Sequence, residues 1–280
     1  MRLALGIAYD GSGFCGWQSQ SSACGVQDAL ELALAKIALH PIRCHAAGRT
    51  DTGVHGLGQV VHFDTDSDRP LSAWVRGVNA YLPSSVRVEW AQPVDDAFHA
   101  RFSALERSYQ YLLYNAPVSS ALMASKAGWF HLPLNVAAMA EAASHLIGEH
   151  DFSAFRAAEC QAKSPIRTMT KAQVQTQGAY VGFDFSANAF LQHQVRNMVG
   201  ALVYIGKGAN PASYMQTMLA QRDRNLAPPT FSPSGLYLTQ VRYHEKWRLP
   251  LAKNDAKSIT LVISALQYRY DEMGHAASLE

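Results

Sequence analysis

The stretch Ala46-Ala47-Gly48-Arg49-Thr50-Asp51-Thr52-Gly53-Val54-His55-Gly56-Leu57-Gly58-Gln59 surrounds one carboxylate, that of Asp51, with four glycines. Glycine has no Cβ atom, so its backbone adopts positive φ angles and approaches a ligand closely. Simple chain reversal does not need four such residues. Runs typical of β-strands flank the stretch at residues 42–47 and 60–63. We therefore predict a loop that a sheet holds at both ends and that presents Asp51 to a ligand.

The apolar pattern on either side of this loop predicts an α+β fold. Before the loop it indicates a strand at residues 3–9 and a helix at 26–39, where apolar positions recur at three- and four-residue steps. After the loop it indicates a helix at 72–81 and a strand at 86–91. A second cycle then follows, with a strand at 107–114, a helix at 136–147, a hairpin at 167–187, helices at 190–205 and 212–219, and a strand at 236–243.

This order of elements predicts two similar halves, each a mostly antiparallel sheet backed by helices, with a cleft between them. The N-terminal half is residues 1–104, which carry the Asp51 loop, and the C-terminal half is residues 105–243. Residues 244–280 form a C-terminal extension to which we assign no role, although residues 259–266 are apolar enough to pack.

Composition limits the class of protein. With 280 residues, 48% of them hydrophobic, the chain can bury a full core, and a net charge of +2 requires any polyanion to bind at a local basic patch. The four cysteines, at positions 15, 24, 44 and 160, form no Cys-x-x-Cys pair, so we predict free thiols in a reducing compartment. No segment is typical of a secretion signal or a membrane span, so we expect a cytoplasmic protein without a membrane partner.

The chemistry that Asp51 can carry depends on its neighbours. Arg49 stands two residues before it, where a guanidinium keeps a carboxylate ionised or holds a phosphate. An ionised carboxylate in a partly closed pocket is a competent nucleophile or general base. The alternative is that Asp51 and Thr52 are ordinary turn-forming residues that face water. The residues of the loop leave both interpretations open.

Asp51-Thr52-Gly53 also matches the aspartic-protease triplet. Those enzymes pair two carboxylates that share one proton, and the basic residues Arg49 and His55 would oppose such sharing. A single chain of this length would be expected to carry the triplet twice, but it occurs once. An aspartyl hydrolase is therefore a weak alternative.

Aromatic and basic residues alternate at 98–102 and 107–111. Rings that stack on bases, next to cations that hold phosphates, are typical of proteins that bind looped RNA, although Tyr109 and Tyr111 would also suit a plain core. Arg196 lies beside the apolar face of its predicted helix and would be a surface residue unless a carboxylate or phosphate pairs with it. No Walker loop, dinucleotide-binding motif or His-Glu-x-x-His motif occurs, so we predict no cofactor and no metal.

The segment Gly48-Arg49-Thr50-Asp51-x-Gly53-Val54-His55-Gly56-x-Gly58-Gln59-Val60 closely resembles the signature of the TruA-type tRNA pseudouridine synthases. The resemblance continues, in order, through residues 9–12, 16–18, 98–102, 109–111, 195–200 and 235–238, and so covers residues 3–243. Two departures are Thr52, where alanine is more usual, and Ser108, where a basic residue is common.

The resemblance implies an isomerase that converts uridine to pseudouridine at nucleotides 38 to 40 of the tRNA anticodon arm. It also implies a homodimer in which each subunit joins two α+β halves around a basic cleft. In this family pattern Asp51 is the catalytic carboxylate, Tyr109 stacks on the target uracil, and Arg196 pairs with the acid. Leu236 helps to line the pocket, and Arg49 occupies the position of the motif arginine.

The isomerisation needs neither a redox change nor an energy input, which agrees with the prediction of no cofactor. An ionised acid can attack C1′, as in a retaining glycosidase, or add to C6 of the uracil, and the sequence leaves both routes open. The alternative function is a non-catalytic RNA-binding protein on the same scaffold, and the aspartyl hydrolase is less favoured still.

Overall fold

The computed structural model describes residues 1–250 of the chain. These residues contain ten strands and five α-helices. The strands are β1 (Arg2–Tyr9), β2 (His45–Ala46), β3 (His55–Asp64), β4 (Val86–Val94), β5 (Ala104–Asn115), β6 (Gly128–Phe130), β7 (Gly148–Asp151), β8 (Ile166–Gln177), β9 (Tyr180–Ala187) and β10 (Leu236–Tyr243). The α-helices are α1 (Val26–Ala38), α2 (Val78–Tyr81), α3 (Val136–Ser144), α4 (Gln194–Gly206) and α5 (Tyr214–Gln221), with a π-helical turn, Ala73–Gly77, leading into α2.

All ten strands belong to one sheet. Its order is β4-β1-β3-β10-β5-β9-β8-β7, with β2 paired to β3 and β6 paired to β5. Most pairs are antiparallel, and the parallel ones are β10 with β3 and β5 with β6. The predicted α+β class with a mostly antiparallel sheet is confirmed. Because β10 pairs with β3 on one side and β5 on the other, the sheet runs without a break from one predicted half into the other.

The two largest hydrophobic clusters pack on this sheet. In the first, Leu5 of β1 is buried against Leu34 of α1. In the second, Tyr111 of β5 and Phe183 of β9 are buried with Met198 of α4. Burying each such side chain stabilises the fold by roughly 1.5–3 kcal/mol. The division between residues 104 and 105 falls at the start of β5, and it stays a prediction. The apolar run at 259–266 lies outside the described residues.

Several elements differ from the pattern-based expectation. The helix expected from residue 190 begins only at Gln194, because His193 has φ 62° and ψ 0°, a left-handed conformation that cannot continue a helix. The strand expected at residues 42–47 is reduced to β2, whereas β3 begins at His55 and so includes part of the glycine-rich stretch. The short strands β6 and β7 were not predicted, because three or four residues carry too little periodicity.

The prediction that all cysteines are free is wrong for one pair. Cys15 and Cys24 form a disulfide with their Cα atoms 5.4 Å apart, whereas Cys44 and Cys160 are free. The backbone N–H of Cys15 donates to the carbonyl of Cys24 at 3.0 Å, so the chain folds back on itself between them. Spacing alone did not reveal this return. In the described residues, no helix combines the length and the apolar character that a membrane span requires.

Candidate active site

A cavity of about 1100 Å³ lies where the Asp51 loop meets the segment that precedes α4. Arginines predominate among its charged lining residues, which are Arg43, Arg49, Arg101, Arg107, Arg167 and Arg196 against the carboxylates Asp51 and Glu159. The cavity therefore concentrates positive charge, although the whole chain has a net charge of only +2. Such local charge attracts a polyanion. Within residues 1–250, no group of three or more metal-ligating side chains is arranged to hold a metal ion.

Hydrogen bonds hold the Asp51 loop just before the carboxylate. The hydroxyl groups of Thr50 and Tyr9 lie 2.9 Å apart, and Tyr9 is buried beneath the loop in β1. The side-chain amide of Gln59 donates to the carbonyl of Gly48 at 2.7 Å. Both partners come from the sheet, and the flanking strands β2 and β3 pair with each other, so the sheet anchors the loop at both ends.

Two glycines allow the tight path of the chain here. Gly53 turns the chain just after the carboxylate with φ +80°, a conformation that favours glycine. Gly16 has φ +94°, and a Cβ atom there would lie 2.8 Å from the carbonyl oxygen of Thr50. The close approach at Gly16 lets the N–H of Trp17 donate to the same carbonyl at 2.9 Å. The segment at residues 16–18 therefore packs against the Asp51 loop and is hydrogen-bonded to it.

Arg196 contacts the Asp51 carboxylate directly. Its Nη1 lies 3.0 Å from Oδ2 of Asp51, while its Nε donates to the carbonyl of Phe231 at 2.9 Å. The guanidinium is thus fixed on one side by backbone and places positive charge against one carboxylate oxygen. Within residues 1–250, the other oxygen, Oδ1, accepts no hydrogen bond, so it is free to contact a ligand. Arg196 therefore has a carboxylate partner, and this partner distinguishes it from an ordinary surface arginine.

His193 is a site residue that the sequence reasoning missed. Its Nε2 lies 3.4 Å from Oδ2 of Asp51, and its ring lines the cavity. It is the residue immediately before α4, and its left-handed backbone places it outside the helix that carries Arg196. The helical spacing of residues therefore gave no signal that His193 belongs to the site.

The two tyrosines of β5 have different environments. Tyr109 lines the cavity, and its ring meets that of Phe190 edge to face at 5.1 Å between centroids. Burial raises the pKa of the Tyr109 hydroxyl, and the nearby Tyr9 and Asp51 raise it further, so its ring presents a neutral phenol. Tyr111 is fully buried and belongs to the core. Phe190 was not predicted as a site residue.

The other predicted residues also line this cavity. Leu236 lies at the start of β10 and is 5% exposed. Arg49 is exposed and makes no side-chain hydrogen bond or ion pair within the described residues. The guanidinium that contacts Asp51 is therefore that of Arg196 and not that of Arg49, which leaves phosphate binding as the prediction for Arg49. Thr52 is exposed, and the hydroxyl of Ser108 lies 2.8 Å from that of Ser186.

Comparison with known proteins agrees with the resemblance in the sequence. Residues 6–103 and 142–244 match the model of a family described as tRNA pseudouridine synthase. The tRNA pseudouridine synthase A of Methylobacillus flagellatus is 64% identical over 250 residues, covering 89% of this chain and 96% of the relative. Those of Paraburkholderia phymatum and Burkholderia thailandensis are 59% and 58% identical, covering 89% and 90% of this chain and 93% and 94% of each relative. The chain belongs to the tRNA pseudouridine synthase family.

Proposed function

We propose that this chain is an isomerase that converts uridine to pseudouridine at nucleotides 38 to 40 of the tRNA anticodon arm, with Asp51 as its catalytic carboxylate. The observation that carries the proposal is the contact between Asp51 and Arg196 in a cavity lined by arginines. A single carboxylate that is held in place beside a cation can react with a nucleoside. The arginines that line the cavity suit an anionic substrate that contains this nucleoside. Family membership supports the isomerase class and the tRNA substrate.

The reaction breaks the bond between N1 and C1′, turns the uracil, and joins C5 to C1′. The C5 proton leaves and N1 gains a proton, so atoms and electrons balance without an external oxidant or reductant. Attack at C1′ and addition at C6 both need an ionised carboxylate with a free oxygen. Asp51 offers a carboxylate that Arg196 contacts at Oδ2, and its Oδ1 accepts no hydrogen bond within the described residues.

The target uridine must leave its stack before it reaches Asp51, which costs about a few kcal/mol. Base stacking on an aromatic ring is worth about 1–3 kcal/mol, so the ring of Tyr109, supported edge-on by Phe190, can offset much of that cost. Exposed Arg49 and Arg101 extend from the same cavity and suit phosphate groups of the strand. Leu236 adds an apolar wall.

The two alternative functions have less support. An aspartyl hydrolase needs a second carboxylate that shares a proton, but the side chains that contact the carboxylate of Asp51 within residues 1–250 are Arg196 and His193. A non-catalytic RNA-binding protein would need no such carboxylate, and the relatives are named as synthases.

We also propose a homodimer, a cytoplasmic location, and the division into halves at 1–104 and 105–243. The resemblance supports the dimer, and exposed apolar side chains are concentrated at residues 118–132, where Val118 is 75% and Leu122 is 86% exposed. Analytical ultracentrifugation should give twice the mass of the chain. A sedimenting species of one chain at micromolar concentration would contradict the dimer.

The function is tested by incubating purified protein with unmodified tRNA, without added metal or nucleotide, and mapping pseudouridine by chemical derivatisation. We expect product at one or more of nucleotides 38 to 40 and at no other uridine. Binding without product would contradict the function, and product elsewhere in the tRNA would contradict the assigned substrate site.

A further inference from the structure

The ring of Phe102 stands exposed at the rim of the cavity that contains Asp51. It is 75% exposed, and it lines the cavity together with Arg101 and His99. Single exposed apolar side chains are common on protein surfaces and need no explanation by themselves. Phe102 differs from such residues in how its ring is held and in what surrounds it.

Hydrogen bonds within residues 98–103 fix the backbone that carries the ring. Nδ1 of His99 accepts from the N–H groups of Arg101 at 3.1 Å and Phe102 at 3.4 Å. The N–H of Ser103 donates to the carbonyl of His99 at 2.8 Å. Phe98, which begins the segment, is fully buried. The ring of Phe102 is therefore displayed on a closed turn and not on a loose loop.

Contacts from outside the segment tie it to the Asp51 loop. One nitrogen, Nη2 of Arg107, donates to the carbonyl of Arg101 at 2.6 Å and to that of Ala47 at 3.1 Å. The hydroxyl of Tyr243 donates to the carbonyl of Ala100 at 2.6 Å. Residues 98–103 and the Asp51 loop are therefore both hydrogen-bonded to Arg107.

A cation and a second aromatic ring lie beside the ring of Phe102. The guanidinium carbon of Arg101 lies 5.6 Å from the centroid of Phe102, and the ring of His99 lies 4.3 Å from it. The side chain of Arg101 forms no ion pair with an acid in the described part of the chain. An exposed ring beside this cation suits a nucleotide, which offers a flat base and a phosphate, better than an apolar protein surface.

We propose that Phe102 and Arg101 form a second nucleotide site, in which Phe102 stacks on an unpaired base near the target uridine and Arg101 holds the adjoining phosphate. This inference rests on the proposed function, because it needs an RNA strand that places a uridine at Asp51. The anticodon loop supplies unpaired bases next to the proposed targets. A strand that leaves the cavity on this side passes over the ring of Phe102.

The test is a double-mutant cycle on binding. Wild-type protein and the variants Phe102→Ala and Phe102→Tyr are titrated with anticodon stem-loop RNAs, either intact or with one abasic site at a single loop position. We expect Phe102→Ala to weaken binding of the intact RNA by roughly five-fold to a hundred-fold, and Phe102→Tyr to bind like wild type. At one loop position, the abasic RNA should lose affinity for wild type, and Phe102→Ala should cause little further loss.

Leu32→Ala is the matched control, because Leu32 of α1 is 66% exposed but does not line the cavity. It should bind the intact RNA like wild type. The proposal is overturned if the effect of Phe102→Ala is the same for every abasic RNA, or if the variant binds intact RNA like wild type. Failure of the proposed function has a different signature, since wild-type protein would then make no pseudouridine whatever the outcome of the binding cycle.

Discussion

Arg196 and Asp51 are 145 residues apart in the chain, yet Nη1 of Arg196 lies 3.0 Å from Oδ2 of Asp51. Asp51 belongs to a loop of the N-terminal part of the sheet, and Arg196 belongs to the first turn of α4. The site is therefore assembled from two segments that are distant in the chain. Its geometry depends on the continuous sheet, in which β10 joins β3 to β5.

Replacing Arg196 should show whether its two contacts act together. Lysine carries the charge but cannot reach both Asp51 and the carbonyl of Phe231, because it lacks the planar fork of arginine. We expect Arg196→Lys to lower kcat by roughly 10- to 100-fold, the value of a hydrogen bond to a charged group, and Arg196→Ala to lower it further. Single-turnover kinetics measure this. Arg222→Lys is the control, since Arg222 pairs with Asp151 at 3.6 Å on the surface.

Substitution of His193 should have opposite effects on catalytic activity and on stability. Glycine at position 193 removes the ring that lies 3.4 Å from Asp51, but it adopts φ 62° without strain. We expect His193→Gly to lower kcat while raising the free energy of unfolding by up to about 1 kcal/mol. Steady-state kinetics and urea unfolding measure the two effects. A variant that is fully active would remove His193 from the site.

His62 should make the protein sensitive to mild acid. Burial lowers the pKa of His62 to about 4, and the charges of His99, His45 and Arg2 also lower it. Because the folded-state pKa is below the unfolded value, native His62 resists protonation, and stability present above pH 6.5 is lost as the pH falls toward 4.

Between pH 7 and pH 5, we expect His62 to account for a loss of about 2 kcal/mol in the free energy of unfolding. His62→Gln keeps an acceptor for the N–H of Ala100 and should show a smaller loss over this range. Urea unfolding at the two pH values measures the difference. His131→Gln, at an exposed position, should behave like wild type, and equal losses in all three proteins would contradict the assignment.

Arg49 should contribute one phosphate contact. Each neutralised phosphate contributes about 0.7–0.9 to the slope of log affinity against log salt concentration. Arg49→Ala should therefore reduce that slope by roughly this amount and weaken binding of different tRNAs alike. Filter binding at several salt concentrations measures the slope. Arg69→Ala, an exposed arginine outside the cavity lining, should leave it unchanged. An unchanged slope for Arg49→Ala would exclude the phosphate contact.

Local patterns predicted the parts of the structure that depend on neighbouring residues. The glycines around Asp51 predicted the loop, and apolar periodicity predicted α1 and β10 at nearly their observed bounds. Features that depend on contacts between distant segments could not be predicted from local patterns. The contact of Arg196 with Asp51 was inferred only through the family resemblance, and neither the left-handed conformation of His193 nor the Cys15–Cys24 disulfide has a signal in the spacing of residues.

The central claim is that the carboxylate of Asp51 performs the chemistry and contributes little to tRNA binding. The most direct measurement is single-turnover pseudouridine formation by Asp51→Asn at saturating protein, with tRNA affinity measured on the same sample and Asp68→Asn, at an exposed position, as the control. We predict no detectable product from Asp51→Asn, with an affinity within a few-fold of wild type, and full activity from Asp68→Asn. Pseudouridine formation by Asp51→Asn at a rate near that of wild type would contradict the claim.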